Sequence, residues 1–355
     1  MTLAYGAFAT ALYAAGRIAG DATGWLYVSN MSTFYWLTPA IGLLAVAVAA
    51  RWPLPAVACV IPAVAWAATF GPMFVPDAAP AASNLRVASY NMHGDPDAPG
   101  VEHVVRLVAR SAPDVLLLQE VALFSREPLV DTLSAILPHH HFSGVNPKVP
   151  AASGTAVFSR LPIRDTRPVT GLPRISRPTD VVTLDTGTGP LAVVSLHLVT
   201  PDDACKAGAL TDCVASFGQL ARDAALRWRE VNRVLASLPS GPVVLGGDLN
   251  SSTLNSPRRQ LIDAGLVDLH RAVGSGPGFT AQRARFRIDW LFASTDIAPV
   301  DEWVGPLDKS DHRPLIADVA LRLPRWRHLA GRRPTPERTL PPHRCGQAGT
   351  PATCP

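Results

Sequence analysis

The chain has 355 residues, 48% of them hydrophobic and 17% charged, with a net charge of +4. Only Arg17, Asp21 and Arg51 carry charge before Asp77, against 57 charged residues in the remaining 279. That opening excludes a wholly soluble enzyme, and the charge density beyond it excludes a many-span transporter.

Residues 1–76 read as a membrane region with about three transmembrane helices, roughly 3–20, 33–50 and 53–74, since about 20 apolar residues suffice to cross a bilayer. A cleaved signal peptide would need a basic start, and no Lys or Arg precedes position 17. Arg51 is the sole charge between the second and third spans. Its preference for the cytoplasm puts the rest of the chain on the extracytoplasmic side. Cys205 and Cys213 lie eight apart, and Cys345 and Cys354 nine apart; both spacings suit short disulfide loops in an oxidising compartment. After a short Ala/Pro linker over 77–84, a domain runs over 85–323 and an Arg/Pro-rich tail over 324–355. From Arg322 onward seven arginines face one acid, which leaves residues 77–321 at −3. A mildly acidic domain is poorly suited to gripping duplex nucleic acid through many phosphates.

Within the domain, LRVASYN, DVLLLQEV, GTAVFSR, VVTLD, LAVVSLHLV, PVVLGGDLN, RIDWLFA and LIADVALRL are strand-like in that order. VEHVVRLVARSA and the stretch 217–238 have the apolar spacing of helices. The alternation predicts an α/β domain with covered sheets. The polar residues of interest sit at strand ends: Asn91, Glu120, His197, Asp248, Asn250, Asp289, and the run Ser310, Asp311, His312. Each alone has a structural reading as a turn cap, a helix start or an ion-pair partner. Together they suit phosphate ester hydrolysis. A hard cation takes one or two carboxylates and water, and an imidazole beside a carboxylate can take or hold a proton. No GxSxG elbow and no Walker lysine competes. Arg258 and Arg259, soon after GDLNSS, are candidate substrate contacts. Of the other arginines, 283, 285 and 287 alternate along a strand that meets substrate phosphate or solvent, and Arg174 and Arg177 lie in a Pro-bounded loop. The histidine run 139–141 is expected in a loop beside the cleft.

In order, SYNMHG, LLLQEV, GTAVFSRLPI, SLHL, GGDLNS, RIDWLFAS and SDHRPL resemble the motif set of the endonuclease/exonuclease/phosphatase superfamily of metal-dependent phosphoesterases, over about 85–323. The resemblance implies a four-layered α/β/β/α sandwich of two mixed β-sheets, here preceded by an N-terminal helical transmembrane segment. It implies Mg²⁺, with Mn²⁺ as a substitute, held chiefly by Glu120 with Asn91 and Asp311 close to the metal. Asp248 and Asn250 then orient the attacking water and the phosphate, His312 faces the scissile phosphate and Asp289 holds it. His197 resembles the second histidine of the deoxyribonuclease and sphingomyelinase branches. The abasic-site branch fits poorly, because its NxD element is here Asn91-Met92-His93. With 3 lysines against 29 arginines, the composition suggests a GC-rich genome and a bacterial member. The expected protein is a membrane-anchored, extracytoplasmic phosphoesterase acting on a phosphodiester or phosphomonoester. The alternatives are an extracellular nuclease acting on DNA or RNA, and a catalytically silent surface-binding module.

Overall fold

The computed structural model describes residues 1–75, 82–93, 100–149, 153–201, 216–282 and 285–321. All eight strand-like runs form strands, and four more join them. In chain order these are β1 (Leu85–Asn91), β2 (Val115–Val121), β3 (His139–Phe142), β4 (Gly154–Ser159), β5 (Ile163–Pro168), β6 (Asp180–Asp185), β7 (Pro190–His197), β8 (Val243–Asp248), β9 (Val267–Asp268), β10 (Asp289–Ala293), β11 (Ile297–Val304) and β12 (Leu315–Leu321). They build two six-stranded sheets, in the orders β11-β12-β1-β2-β4-β3 and β5-β6-β7-β8-β10-β9. The sheets face each other across an apolar core that includes Val87, Leu117, Val193, Val244, Leu291 and Ala317. Strands buried on both faces read as unbroken apolar runs, which is why β1, β4 and β8 are buried along their whole length.

The outer layers are helical. Among the described residues, helices α1 (Thr2–Ala19), α2 (Gly24–Met31), α3 (Thr33–Leu37), α4 (Pro39–Ala49) and α5 (Pro53–Phe70) precede the sheets. Within the sandwich follow α6 (Val101–Ser111), α7 (Leu123–Leu133), α8 (Phe217–Ser237), α9 (Ser256–Asp263) and α10 (Leu269–Val273). Val104, Val108, Leu129 and Leu133 of α6 and α7 pack on the first sheet. Val231, Val234 and Leu261 of α8 and α9 pack on the second. The result is the expected α/β/β/α sandwich.

One topological detail places the site. Each sheet has a parallel pair near its centre, β1 with β2 and β7 with β8, while β12 and β10 run antiparallel beside β1 and β8. The C-terminal ends of the parallel strands therefore share an edge with the N-terminal starts of β10 and β12. Close sheet packing at that edge depends on Gly247, opposite Leu196, whose φ of 143° and approach to the Leu196 carbonyl leave no room for a Cβ.

The N-terminal region departs from three uniform spans. The stretch Pro53–Phe74 is one continuous apolar segment of 22 residues, long enough to cross a bilayer. The expected second span, 33–50, coincides with Thr33–Ala49, which passes as a span only together with the preceding Gly24–Met31. Its α4 has 11 residues, and the stretch Thr33–Ala49 bends by 69° from α2, so the two make at most one bent span. α1 has 18 residues and falls short of the apolar character of Pro53–Phe74. Cys205, Cys213, Cys345 and Cys354, with the expected disulfides, lie outside the described residues, as do the tail and most of the linker. Cys59 is a buried free thiol in α5. The histidine run forms the edge strand β3 rather than a loop. His140 stacks on Phe158, and His141 Nε2 is 2.6 Å from Asp180 Oδ2.

Glu230, on α8, is buried, and its Oε2 accepts from the Val199 N–H at 2.9 Å, bracing the chain just beyond β7. Burial pushes its carboxyl up from the ordinary 4.5 to about 7. The fold thus favours the protonated form, so this contribution to stability is complete below 4.5 and lost as pH rises through about 7. Glu230→Gln should narrow the stability difference between pH 5 and pH 8 by an amount on the order of 2 to 3 kcal/mol. Urea unfolding at the two pH values measures it, and an unchanged difference would refute this account of Glu230.

Candidate active site

The shared edge gathers the predicted side chains from both sheets. Asp248, at the end of β8 and 2% exposed, is the hub. Its Oδ2 lies 3.2 Å from Asn91 Nδ2, 3.4 Å from His197 Nε2 and 3.8 Å from His312 Nε2. Its Oδ1 accepts the Asn250 N–H at 2.7 Å. Register makes this possible, since His197 and Asp289 stand directly opposite Asp248 on the two neighbouring strands.

His312 Nδ1 is 2.8 Å from Asp289 Oδ2, so the imidazole and carboxylate form a buried pair. Burial alone would lower the histidine, but the charges of Asp289 and Asp248 and the Asp289 hydrogen bond hold it up to about 10. It is therefore an imidazolium at neutral pH. Asp248 moves the other way from most carboxylates. Burial raises it to about 7, with the Asp289 charge adding to the effect and the His312 charge opposing it.

Glu120 and Asp311 line the more open side. Asn91 Nδ2 lies 3.3 Å from Glu120 Oε1, and His93 Nδ1 sits between the carboxylates, 3.6 Å from Glu120 Oε2 and 3.5 Å from Asp311 Oδ1. Asp311 Oδ1 is buried yet accepts no hydrogen bond. Two carboxylates that face one another across a single imidazole, one with a buried oxygen that accepts no hydrogen bond, fit a hard cation held by oxygen. Among the described residues, Asp248, Asp289 and His312 also bring metal-capable atoms within 4.8 Å of one another.

Backbone strain marks the same place. His93, Glu120 and Asn250 adopt φ of 49°, 57° and 47°, a left-handed conformation costing a non-glycine residue on the order of 1 kcal/mol. At Glu120 it coincides with a register shift in β2 between Leu118 and Val121. Ser310 braces the far side, with its hydroxyl donating to the Asn91 carbonyl and accepting the His312 N–H.

Two expected residues are not brought here. Arg258 is buried with Arg287 around Asp268, at 2.9 Å and 2.6 Å, and both guanidiniums lie over the Trp290 ring. Burial would raise Asp268, but the two arginines hold it well below the usual carboxylate range. Arg259 donates to the Gly16 carbonyl in α1 at 3.1 Å. Arg283 lies outside the described residues. Conversely, two neighbours of Glu120 were not among the expected site residues: His93, and Arg177, noted only for its Pro-bounded loop and buried with its guanidinium 3.8 Å from Glu120 Oε1. A Pro-bounded loop gives no periodicity by which Arg177 could have been placed.

A two-sheet sandwich whose facing edges carry this carboxylate, amide and imidazole set defines a phosphoesterase. The profile of the Endonuclease/Exonuclease/phosphatase family matches residues 88–312, and the chain belongs to that family. Among solved structures, an endonuclease/exonuclease/phosphatase from Beutenbergia cavernae DSM 12333 is similar at 26% identity and a TM-score of 0.52, over 67% of this chain and 72% of that one. Truncated TDP2 from Caenorhabditis elegans gives 19% and 0.49, over 66% and 97%. The 3' phosphatase NExo from Neisseria, bound to a product DNA hairpin, gives 22% and 0.46, over 66% and 98%. No curated protein matches the sequence.

Asp289→Asn removes the charge that does most to hold His312 protonated, so the histidine should titrate lower by about one unit or more. NMR titration of the His312 ring reads this directly; a displacement below about half a unit would mean that Asp289 does not control the imidazole.

Proposed function

We propose that the chain is a membrane-anchored, extracytoplasmic, Mg²⁺-dependent phosphoesterase that acts on small or lipid-borne phosphoesters in preference to duplex DNA. The observation that carries the reaction is the pairing of a carboxylate kept near neutrality, Asp248, with an imidazolium, His312, on the edge that also bears Glu120 and Asp311. A silent binding module has no use for such a pair.

Glu120, Asn91 and Asp311 would hold the cation, which when bound neutralises charge on the phosphate oxygens. Asp248 takes the proton of the attacking water, and the Asn250 N–H fixes its carboxylate. His312 donates from Nε2 to a phosphate oxygen, while Asp289 holds the ring through Nδ1. His197 faces Asp248 from β7, and Arg177 adds positive charge beside Glu120.

The anchor rests on Pro53–Phe74, where Leu54, Val57, Ile61 and Val64 expose apolar surface. Its far end meets the sandwich: the Met73 carbonyl accepts from Gly276 N, and Arg271 donates to the Ala68 and Thr69 carbonyls. The stretch between the first two expected spans touches the same body, whereas Arg51 is exposed at the opposite turn of the α4–α5 pair. Arg51 on the cytoplasmic side is consistent with both contacts and with an extracytoplasmic site. The substrate preference follows from the −3 charge of residues 77–321 and from the anchor, which holds the cleft near headgroups.

Turnover should rise with pH through about 7 as Asp248 ionises and fall near 10 as His312 loses its proton, giving a bell-shaped kcat/KM profile. Glu120→Ala should cost at least about 100-fold in kcat with the fold intact, as chelation of the metal should. A variant keeping more than half the activity would remove Glu120 from the metal site. For the substrate, the full-length protein with Mg²⁺ is assayed on phospholipid vesicles, a small phosphodiester and duplex DNA at two ionic strengths. Turnover of the first two with mild salt dependence is expected. Steeply salt-sensitive cleavage of duplex DNA alone would put the extracellular nuclease first.

A further inference from the structure

The N-terminal segment reaches the active site itself. Asp21 is one of three charged residues in the first 76, yet it is buried. Its Oδ2 accepts the Ser256 N–H at 2.7 Å, and its Oδ1 accepts from Asn255 Nδ2 and Asn30 Nδ2 at 2.8 Å and 2.9 Å. Ser256 is the first residue of α9, a helix whose own N-cap, Asn255, makes no capping bond. Asp21 thus supplies from 235 residues away the carboxylate that a helix start requires. Gly20 makes the approach possible, because it turns with φ of 57° and a Cβ there would meet Ser256 Oγ at 2.7 Å.

Tyr27, six residues on, is buried, and its hydroxyl donates to the Asn250 carbonyl at 3.0 Å. Its ring lies under the Arg227 guanidinium at 4.6 Å, and its own carbonyl accepts from Asn255 Nδ2. Asn250 is the strained residue whose N–H holds Asp248. A chain of two hydrogen bonds therefore runs from the N-terminal segment to the hub carboxylate.

We propose that Asp21 and Tyr27 are positioning residues of the active site, fixing the Asp248-to-Ser256 turn so that catalysis requires the docked N-terminal segment. The kinetic part rests on the phosphoesterase reading; the geometric part does not. Tyr27→Phe keeps the ring against Arg227 and deletes only the hydroxyl. In the full-length protein with Mg²⁺ and a small phosphodiester, it should lower kcat about five- to tenfold, the worth of one hydrogen bond, with KM within about twofold and little change in Tm. Amide exchange over 249–256 should quicken in the same variant. Arg259→Ala serves as the control, since it removes a docking bond to Gly16 away from Asn250 and should lower Tm without changing kcat or that exchange. Unchanged exchange over 249–256 in Tyr27→Phe would overturn the proposal. So would a kcat loss in Arg259→Ala equal to that of Tyr27→Phe, because docking in general would then be responsible. A wild-type protein without turnover would sink the phosphoesterase reading and leave the exchange comparison to decide the strut.

Discussion

A carboxylate buried to 2% exposure is the constraint around which the site is arranged. Removing Asp248 from water penalises its charge, and the compensation comes from groups on four other strands or turns: Asn91, His197, Asn250 and His312. Asn91 and His312 come from the other sheet and could not reach it unless both sheets presented matching ends at one edge. The parallel pairs and their antiparallel neighbours provide that, so topology, burial and chemistry are one arrangement. The left-handed residues Glu120 and Asn250 are its conformational cost.

How much of this was legible in the sequence depends on burial. Strands covered on both faces keep an unbroken apolar run and were readable, as were the polar residues that close them. Elements that lack such cover were not. β5, IRDTRP, is an exposed edge; β11 carries Pro299 and a register shift beside it; α7 holds Pro128 in its interior. Within the site, the strand-end residues were visible because a rigid strand fixes their direction. Arginines were not, because a long side chain goes where a partner is. Arg258 follows the GDLNSS turn but finds Asp268, while Arg177 leaves an irregular loop to reach Glu120.

Packing also crosses the compositional boundary at residue 77. Composition separates an apolar opening from a charged domain, and that contrast is real. Packing does not respect it. Tyr27 lies in one cluster with Leu220 and Ala224 of α8, and Tyr35 stacks on Phe279 while its hydroxyl donates to the Arg285 carbonyl. Hydropathy records where a segment sits relative to water, whereas these contacts depend on a few polar and aromatic atoms that contribute little to any average.

The carboxylate cap on α9 has a consequence for the order of events during folding. A contact spanning 235 residues closes a very long loop, and loops of that size form late. During synthesis Asp21 emerges long before Ser256 exists, so the carboxylate must wait, solvated or paired with Asn30, until nearly three quarters of the chain has been made. The turn after β8 therefore settles onto a surface that was laid down first, and helix α9 gains its start only when two distant segments of the chain meet.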